Sequence, residues 1–290
     1  MNTKNLKILM TCFILIFLIA IIMLLLVIKP RLERIPDDFY YEANIYSLDN
    51  FYSAELGDFL GEQEAKTKFF YEVVSTKGNI LAIRNLFDVR TLNGEKIFTV
   101  ERLYGINPIS GAHVAGYEEK IREGYLFAPQ GLKKGEGYIY WHVNYNSPAE
   151  MKFQNEEELY GLKVYRYETD FNADQTENLY HLPLVPEERG VELDVNLQMW
   201  IEPITGRMIK YEDKTTAYYY DIKTGERIHP WNKFNNKYYE ESVKEQVSIV
   251  KNEKLKINLV GKIIPGILGL FIIVLVILLF FVRIDKRDSK

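Results

Sequence analysis

Two uncharged apolar runs lie near the ends of this chain, ILMTCFILIFLIAIIMLLLVI at residues 8–28 and IIPGILGLFIIVLVILLFFV at residues 263–282. A hydrocarbon layer about 30 Å thick, crossed by a helix rising about 1.5 Å per residue, takes about 20 such residues. Each run predicts one transmembrane helix. Residues 29–262 are then tethered at both ends and confined to one side of a bilayer.

The first run reads as an uncleaved anchor. It is longer than the apolar part of a signal peptide, and Lys29-Pro30-Arg31 follows it in place of a small-residue cleavage site. Cys12 precedes most of the apolar run, whereas a lipoprotein signal carries its cysteine after one, so Cys12 reads as a small apolar side chain in the span. Basic residues flank both spans on both sides, so charge alone does not orient them. Short tails (1–7 and 283–290) and a cysteine-free middle favour both termini in the cytosol, with the 29–262 portion outside the cytoplasmic membrane.

Charge separates along the chain. Setting aside the seven bases and two acids of residues 1–29 and 283–290 leaves 29 bases and 38 acids, a net of −9. Nucleic-acid binding needs clustered Lys and Arg, so that class is excluded as a partner. The expected partners are the lipid bilayer itself and an envelope protein or lipid ligand.

All 21 tyrosines fall in the middle portion, which favours sheet over helix. Strand-like runs occur at 69–75, 79–86, 87–91, 96–100, 138–145, 162–171, 194–202, 207–212 and 217–222. The first four predict an antiparallel meander, with Asn93-Gly94 as a type I′ hairpin turn. Asn107-Pro108-Ile109-Ser110-Gly111, Glu202-Pro203-Ile204-Thr205-Gly206 and Asp221-Ile222-Lys223-Thr224-Gly225 echo one another as turns closed by a left-handed glycine. From 238 to 255 the apolar period lengthens to that of a helix, with Tyr239, Val243, Val247 and Val250 on one face. The predicted class is an α+β membrane protein. N- and C-terminal transmembrane helices flank a mainly antiparallel β domain (29–237), and a juxtamembrane helix (238–262) leads into the second span with a bend at Pro265-Gly266.

Chemistry-bearing patterns are sparse. His113, His142, His181 and His229 stand far apart, without the short spacing of a zinc site. No Gly-x-Ser-x-Gly occurs, and Gly131 to Gly137 lacks phosphate-loop spacing and reads as a mobile basic turn. The acidic clusters Asp37-Asp38, Glu156-Glu157-Glu158 and Glu187-Glu188 read as solvated faces. Asp170, Asn172, Asp174 and Glu177 offer alternating oxygen ligands that would suit calcium. The sixth-position glycine is missing, however, and His181 stands at position twelve, so an acidic loop is the preferred reading. Tyr218-Tyr219-Tyr220 and Tyr138-Ile139-Tyr140-Trp141 read as alternating core aromatics. No catalytic residue, cofactor or firm metal site is expected, and the chain reads as a binding module, not an enzyme.

Ile35-Pro36-Asp37-Asp38 after the first span, Tyr125-Leu126-Phe127-Ala128-Pro129 ahead of Gly137-Tyr138-Ile139-Tyr140-Trp141, Tyr160-Gly161-Leu162-Lys163-Val164-Tyr165-Arg166-Tyr167 and Glu202-Pro203-Ile204-Thr205-Gly206 follow one another in order. With the closing helix and span, this order resembles the porin A-like family of two-span prokaryotic membrane proteins. The resemblance implies no catalytic residues. Its name implies a pore, which two apolar helices without polar residues and strands charged on both faces do not favour. Lipid or apolar-ligand handling by the β domain is the alternative to protein binding, and hydrolysis is disfavoured.

Overall fold

Period-two alternation builds the body of this protein. In the strand Tyr40–Ser53, Tyr41, Ala43, Ile45 and Ser47 are buried while the residues between them face outward. The same alternation recurs through ten strands in the computed structural model, which describes residues 3–117, 122–176 and 189–284. They are β1 (Tyr40–Ser53), β2 (Asp58–Lys77), β3 (Ile80–Thr91), β4 (Lys96–Ile106) and β5 (Tyr138–His142). After them come β6 (Ser147–Leu159), β7 (Leu162–Asp174), β8 (Arg189–Ile201), β9 (Met208–Asp221) and β10 (Arg227–Tyr238).

All ten join one antiparallel sheet in the order β4-β3-β2-β1-β10-β9-β8-β7-β6-β5. Each half is a run of consecutive hairpins, and the first and last strands meet at the centre. The sheet curls until its two outer strands approach. Isolated bridges Ile106–His113, Ala112–Tyr125 and Tyr125–Tyr140 tie β4 to β5 through the intervening segment, and Arg102 of β4 donates to the carbonyl of Val143 just past β5. The concave face carries the core, including Tyr71, Tyr104, Trp141, Met151, Tyr167 and Leu197. Leu126, Phe127 and Leu132 pack into it, with Phe127 4.9 Å from both Phe39 and Tyr71.

Several expectations change. Runs 79–86 and 87–91 form one strand, β3, and 207–212 and 217–222 form one strand, β9. Strands β1, β6 and β10 were not expected, because charged or amide residues on their outward faces hide the alternation. The Asn93-Gly94 turn is a three-residue loop and not type I′. Gly94 alone has positive φ (87°), donates to the carbonyl of Thr91, and Thr91 donates to that of Glu95. The three echoed turns hold as expected. Asn107, Glu202 and Asp221 each accept two following backbone N–H groups on a side-chain oxygen, and Gly111, Gly206 and Gly225 sit at φ near 70°.

Helix α3 (Glu240–Asn258) is not a bare stalk. Residues 35–251 form one unit, and within it Val243, Val247 and Val250 are buried. Ser242 accepts from the backbone of Asn44 at 2.9 Å, and Gln246 donates to the carbonyl of Glu42 at 2.8 Å. Lys251 donates to the carbonyl of Tyr160 at 2.5 Å.

The second unit comprises residues 1–34 and 252–290. In it α1 (Thr3–Met23) runs through a π-turn at Leu24–Ile28 into α2 (Lys29–Leu32), and a π-turn at Leu259–Ile263 leads into α4 (Ile264–Ile284). Both π-turns directly precede a proline-containing turn, at Pro30 and Pro265. Proline has no N–H and crowds the carbonyl four residues back, and a widened turn absorbs both defects while keeping the backbone bonded. At Pro265-Gly266, where a bend is expected, the irregularity in the helix is the π-turn just before it. The long helices pack together, with Phe17 and Phe271 rings 6.1 Å apart.

Candidate functional site

The core does not fill the curl. At the end of the sheet away from the start of β1, the concave face surrounds a cavity of about 440 Å³. That volume lies within the range of small-molecule sites. β3 and β4 supply an apolar wall of Phe87, Val89, Phe98 and Val100, and Phe51, Trp231 and Phe234 extend it. Polar groups enter at fixed points: Ser47 and Asp49 from β1, Thr67 from β2, Arg102 from β4 and Asn232 and Asn236 from β10. Gln63 and Ile97 stand at the rim and are exposed.

Asp49 accepts from the Nδ2 of Asn232 at 2.8 Å, and Asn232 in turn accepts from the backbone of Asn50 at 3.0 Å. Burial raises the Asp49 carboxyl above the usual range, and the Asn232 bond opposes that rise. The hydroxyl of Thr67, a residue only 1% exposed, has no hydrogen-bond partner.

A second polar cluster lies behind the cavity. Tyr145, in the turn after β5, stacks on His142 at 4.0 Å. Its backbone N–H donates to His142 Nδ1 at 3.4 Å, so the ring proton sits on Nε2 and reaches Tyr211 Oη at 2.8 Å. Tyr211 donates to Asp213, which also accepts from Tyr145 Oη at 3.0 Å and Asn236 Nδ2 at 2.9 Å. Burial pushes Asp213 up to about 6 against those bonds, and burial together with the Arg102 charge pulls His142 down to about 3. Enclosed, oriented and uncharged at His142, the cluster fixes the wall from which Tyr145 and Asn236 reach the cavity.

The calcium candidates lie elsewhere. Asp170, Asn172 and Asp174 occupy alternate outward positions of strand β7, not a loop, with Phe171 and Ala173 facing in. Their oxygens and amides are engaged across strands: Asn196 donates to Asp170 at 2.8 Å, Asn172 donates to Asp194 at 2.5 Å, and Tyr220 donates to Asp174 at 3.2 Å. Glu177, His181, Glu187 and Glu188 lie outside the described residues. Among the described residues no three of His, Cys, Asp or Glu gather as a metal cage. His113 packs at 6.1 Å from Trp141, and His229 lies against Tyr52 and Tyr219. At the start of the Gly131 to Gly137 turn, Gly131 and Leu132 donate to the carbonyls of Ile204 and Pro203, and residues 133–137 are exposed. Asp37-Asp38 is exposed, Glu156 pairs with Lys163 at 2.7 Å and Glu157 accepts from Trp200 at 2.7 Å. Tyr138, Tyr140 and Tyr219 are buried, and Trp141 is buried too, because the segment bridging β4 and β5 covers it.

Residues 118–281, more than half of the chain, match the family model described as Porin PorA. The chain belongs to that family. The PorA match starts between β4 and β5 and ends within α4. No curated protein matches. Among solved structures, a protein with a YmcC-like fold from Bacteroides fragilis aligns at 10% identity over 68% of this chain and 96% of its own, with a TM-score of 0.30. DynF, from the dynemicin biosynthesis pathway of Micromonospora chersina, aligns at 9% identity over 71% and 82%, with a TM-score of 0.25. Similarity this slight carries no argument about what the PorA-family chain does.

Asp49, Trp231 and Asn232 escaped the sequence reading because β1 and β10 did, and Thr67 because the run read for β2 begins at residue 69. The available signal was polar residues at inward positions of an alternating run, as in Ser47-Leu48-Asp49-Asn50-Phe51.

Proposed function

We propose that this PorA-family protein is a membrane-held binding module, not a catalyst, whose curled sheet takes an apolar or amphipathic molecule into its cavity. The sheet unit stands outside the cytoplasmic membrane, with both termini in the cytosol. One observation carries the reading: a cavity of about 440 Å³ with aromatic and aliphatic walls and a few placed polar groups.

A pore through the strands fits less well. Glu62, Glu64, Lys66 and Lys68 occupy outward positions of β2, and Asp170, Asn172 and Asp174 those of β7, where a membrane barrel carries an apolar band. The two apolar helices, long enough to span by length and composition, supply the membrane attachment instead.

The full chain extracted into nanodiscs, denatured and analysed by lipid mass spectrometry should release one apolar species enriched far above the surrounding lipid. Ala65 lines the cavity and pairs with Ser47 and Thr91, so Ala65→Phe should expel that species while leaving thermal unfolding cooperative. An extract that mirrors the bulk lipid in both proteins would end this reading.

A further inference from the structure

The cavity has two unlike sides, and the difference names the head group it would hold. Resting on the binding function proposed above, we propose that the cavity selects an amphiphile whose head donates hydrogen bonds, a hydroxyl or an ammonium group, seated against Ser47, Asp49 and Thr67. It would discriminate against a carboxylate head.

The register places these three groups together. Ser47 pairs with Ala65 and Asp49 with Gln63, so Thr67, two residues on from Ala65, is the diagonal neighbour of Ser47 on the same face. Diagonal neighbours in a sheet lie about 7–8 Å apart, within reach of one small head group between them. The amides beside them each have one N–H engaged within the protein. Asn232 gives its amide to Asp49, and Asn236 gives its amide to Asp213. What the cavity offers here is the carboxylate of Asp49, which accepts, and the hydroxyl of Thr67, which can accept or donate and has no partner among the described residues although the residue is 1% exposed.

Charge points the same way. Among the described residues no cation pairs with Asp49, so a donor head would repay its desolvation and a second carboxylate would deepen it. Phe87, Val89, Phe98 and Val100 across the cavity offer the tail an apolar wall without competing donors. Arg102 is the cation of the lining, and one N–H of its guanidinium donates to the carbonyl of Val143. An acidic head taken by Arg102 is therefore the rival arrangement.

The test uses the full chain in nanodiscs with three photoreactive probes of one chain length, a diazirine fatty alcohol, amine and acid. Cross-linked peptides are mapped by mass spectrometry. The alcohol and amine should label peptides from β1 to β4 several-fold more than the acid does. Asp49→Asn should raise acid labelling to the level of the alcohol and lower that of the amine. The isosteric Thr67→Val should lower alcohol labelling several-fold without moving the thermal midpoint. Acid labelling equal to or above the others in the unaltered protein, or a pattern that Asp49→Asn leaves unchanged, would overturn the head-group assignment and favour Arg102. Probes that label only the two spanning helices would remove the binding function itself, and this assignment with it.

Discussion

His142 and Asp213 show how burial sets protonation in this protein. Folding moves the histidine from its ordinary value near 6.5 down to about 3, so its contribution is present above pH 6.5 and lost as pH falls. Folding raises the aspartate from about 4 to about 6, so its contribution is full below pH 4 and lost as pH rises through 6. Between about pH 4 and 6 the two slopes oppose each other: the unfolded chain carries a protonated His142 and an ionised Asp213, the folded one the reverse. The pair makes no net demand on pH in that window. Asp213→Asn leaves the histidine slope uncompensated, at about 1.4 kcal/mol per pH unit. Relative to the unaltered protein, the variant should gain about 2 kcal/mol between pH 4.5 and 6 in denaturant titrations. A difference that stays constant over that interval would remove the assigned protonation states.

At the scale of elements, the sequence is legible where alternation is apolar and obscure where it is polar. Strands β3, β8 and β9 announce themselves through Leu81, Ile83, Leu193, Val195 and Tyr219. Strand β7 beyond Phe171 reads as a calcium-like loop because Asp170, Asn172 and Asp174 recur every second residue, yet that spacing is also the pitch of a strand's outer face. The I′ turn shows a related ambiguity. Positive φ at both central residues occurs at Tyr160 and Gly161, between Leu159 and Leu162, and not at Asn93-Gly94. Helix α3 was legible as a helix, but its docking was not, since Ser242 and Gln246 look solvent-facing until Asn44 and Glu42 are brought beside them. Its buried valines should therefore matter to the sheet unit. Val247→Ala should cost about 1–3 kcal/mol of unfolding free energy, and Ser248→Ala on the exposed side less than about 0.5. Equal effects would mean that α3 is only a tether.

At the scale of the molecule, two features visible in sequence, the spans and the strand-rich middle, frame one that was not, the cavity. A void inside a curled sheet depends on which inward positions meet across the curl, and no local pattern encodes that. The side of the membrane on which the sheet unit stands has a direct measure. Cys12 in α1 is the single cysteine of the chain, so Cys12→Ser with Lys223→Cys, in the exposed turn between β9 and β10, places one thiol on the sheet unit. A membrane-impermeant maleimide should label it in intact cells as fully as in opened ones. Labelling only after opening would put the unit in the cytosol.

The meeting of β1 with β10 has a consequence for how such a body is born. Strands β1 to β4 can zip as successive hairpins while the ribosome is still working, yet the inner rim of β1 stays bare until β10 emerges, with Ile45 waiting for Tyr238. Helix α3, a π-turn and α4 remain to be made after β10. A polypeptide stalled before β10 would therefore carry a sticky border open, and proteases or neighbouring chains would find it before it could shut.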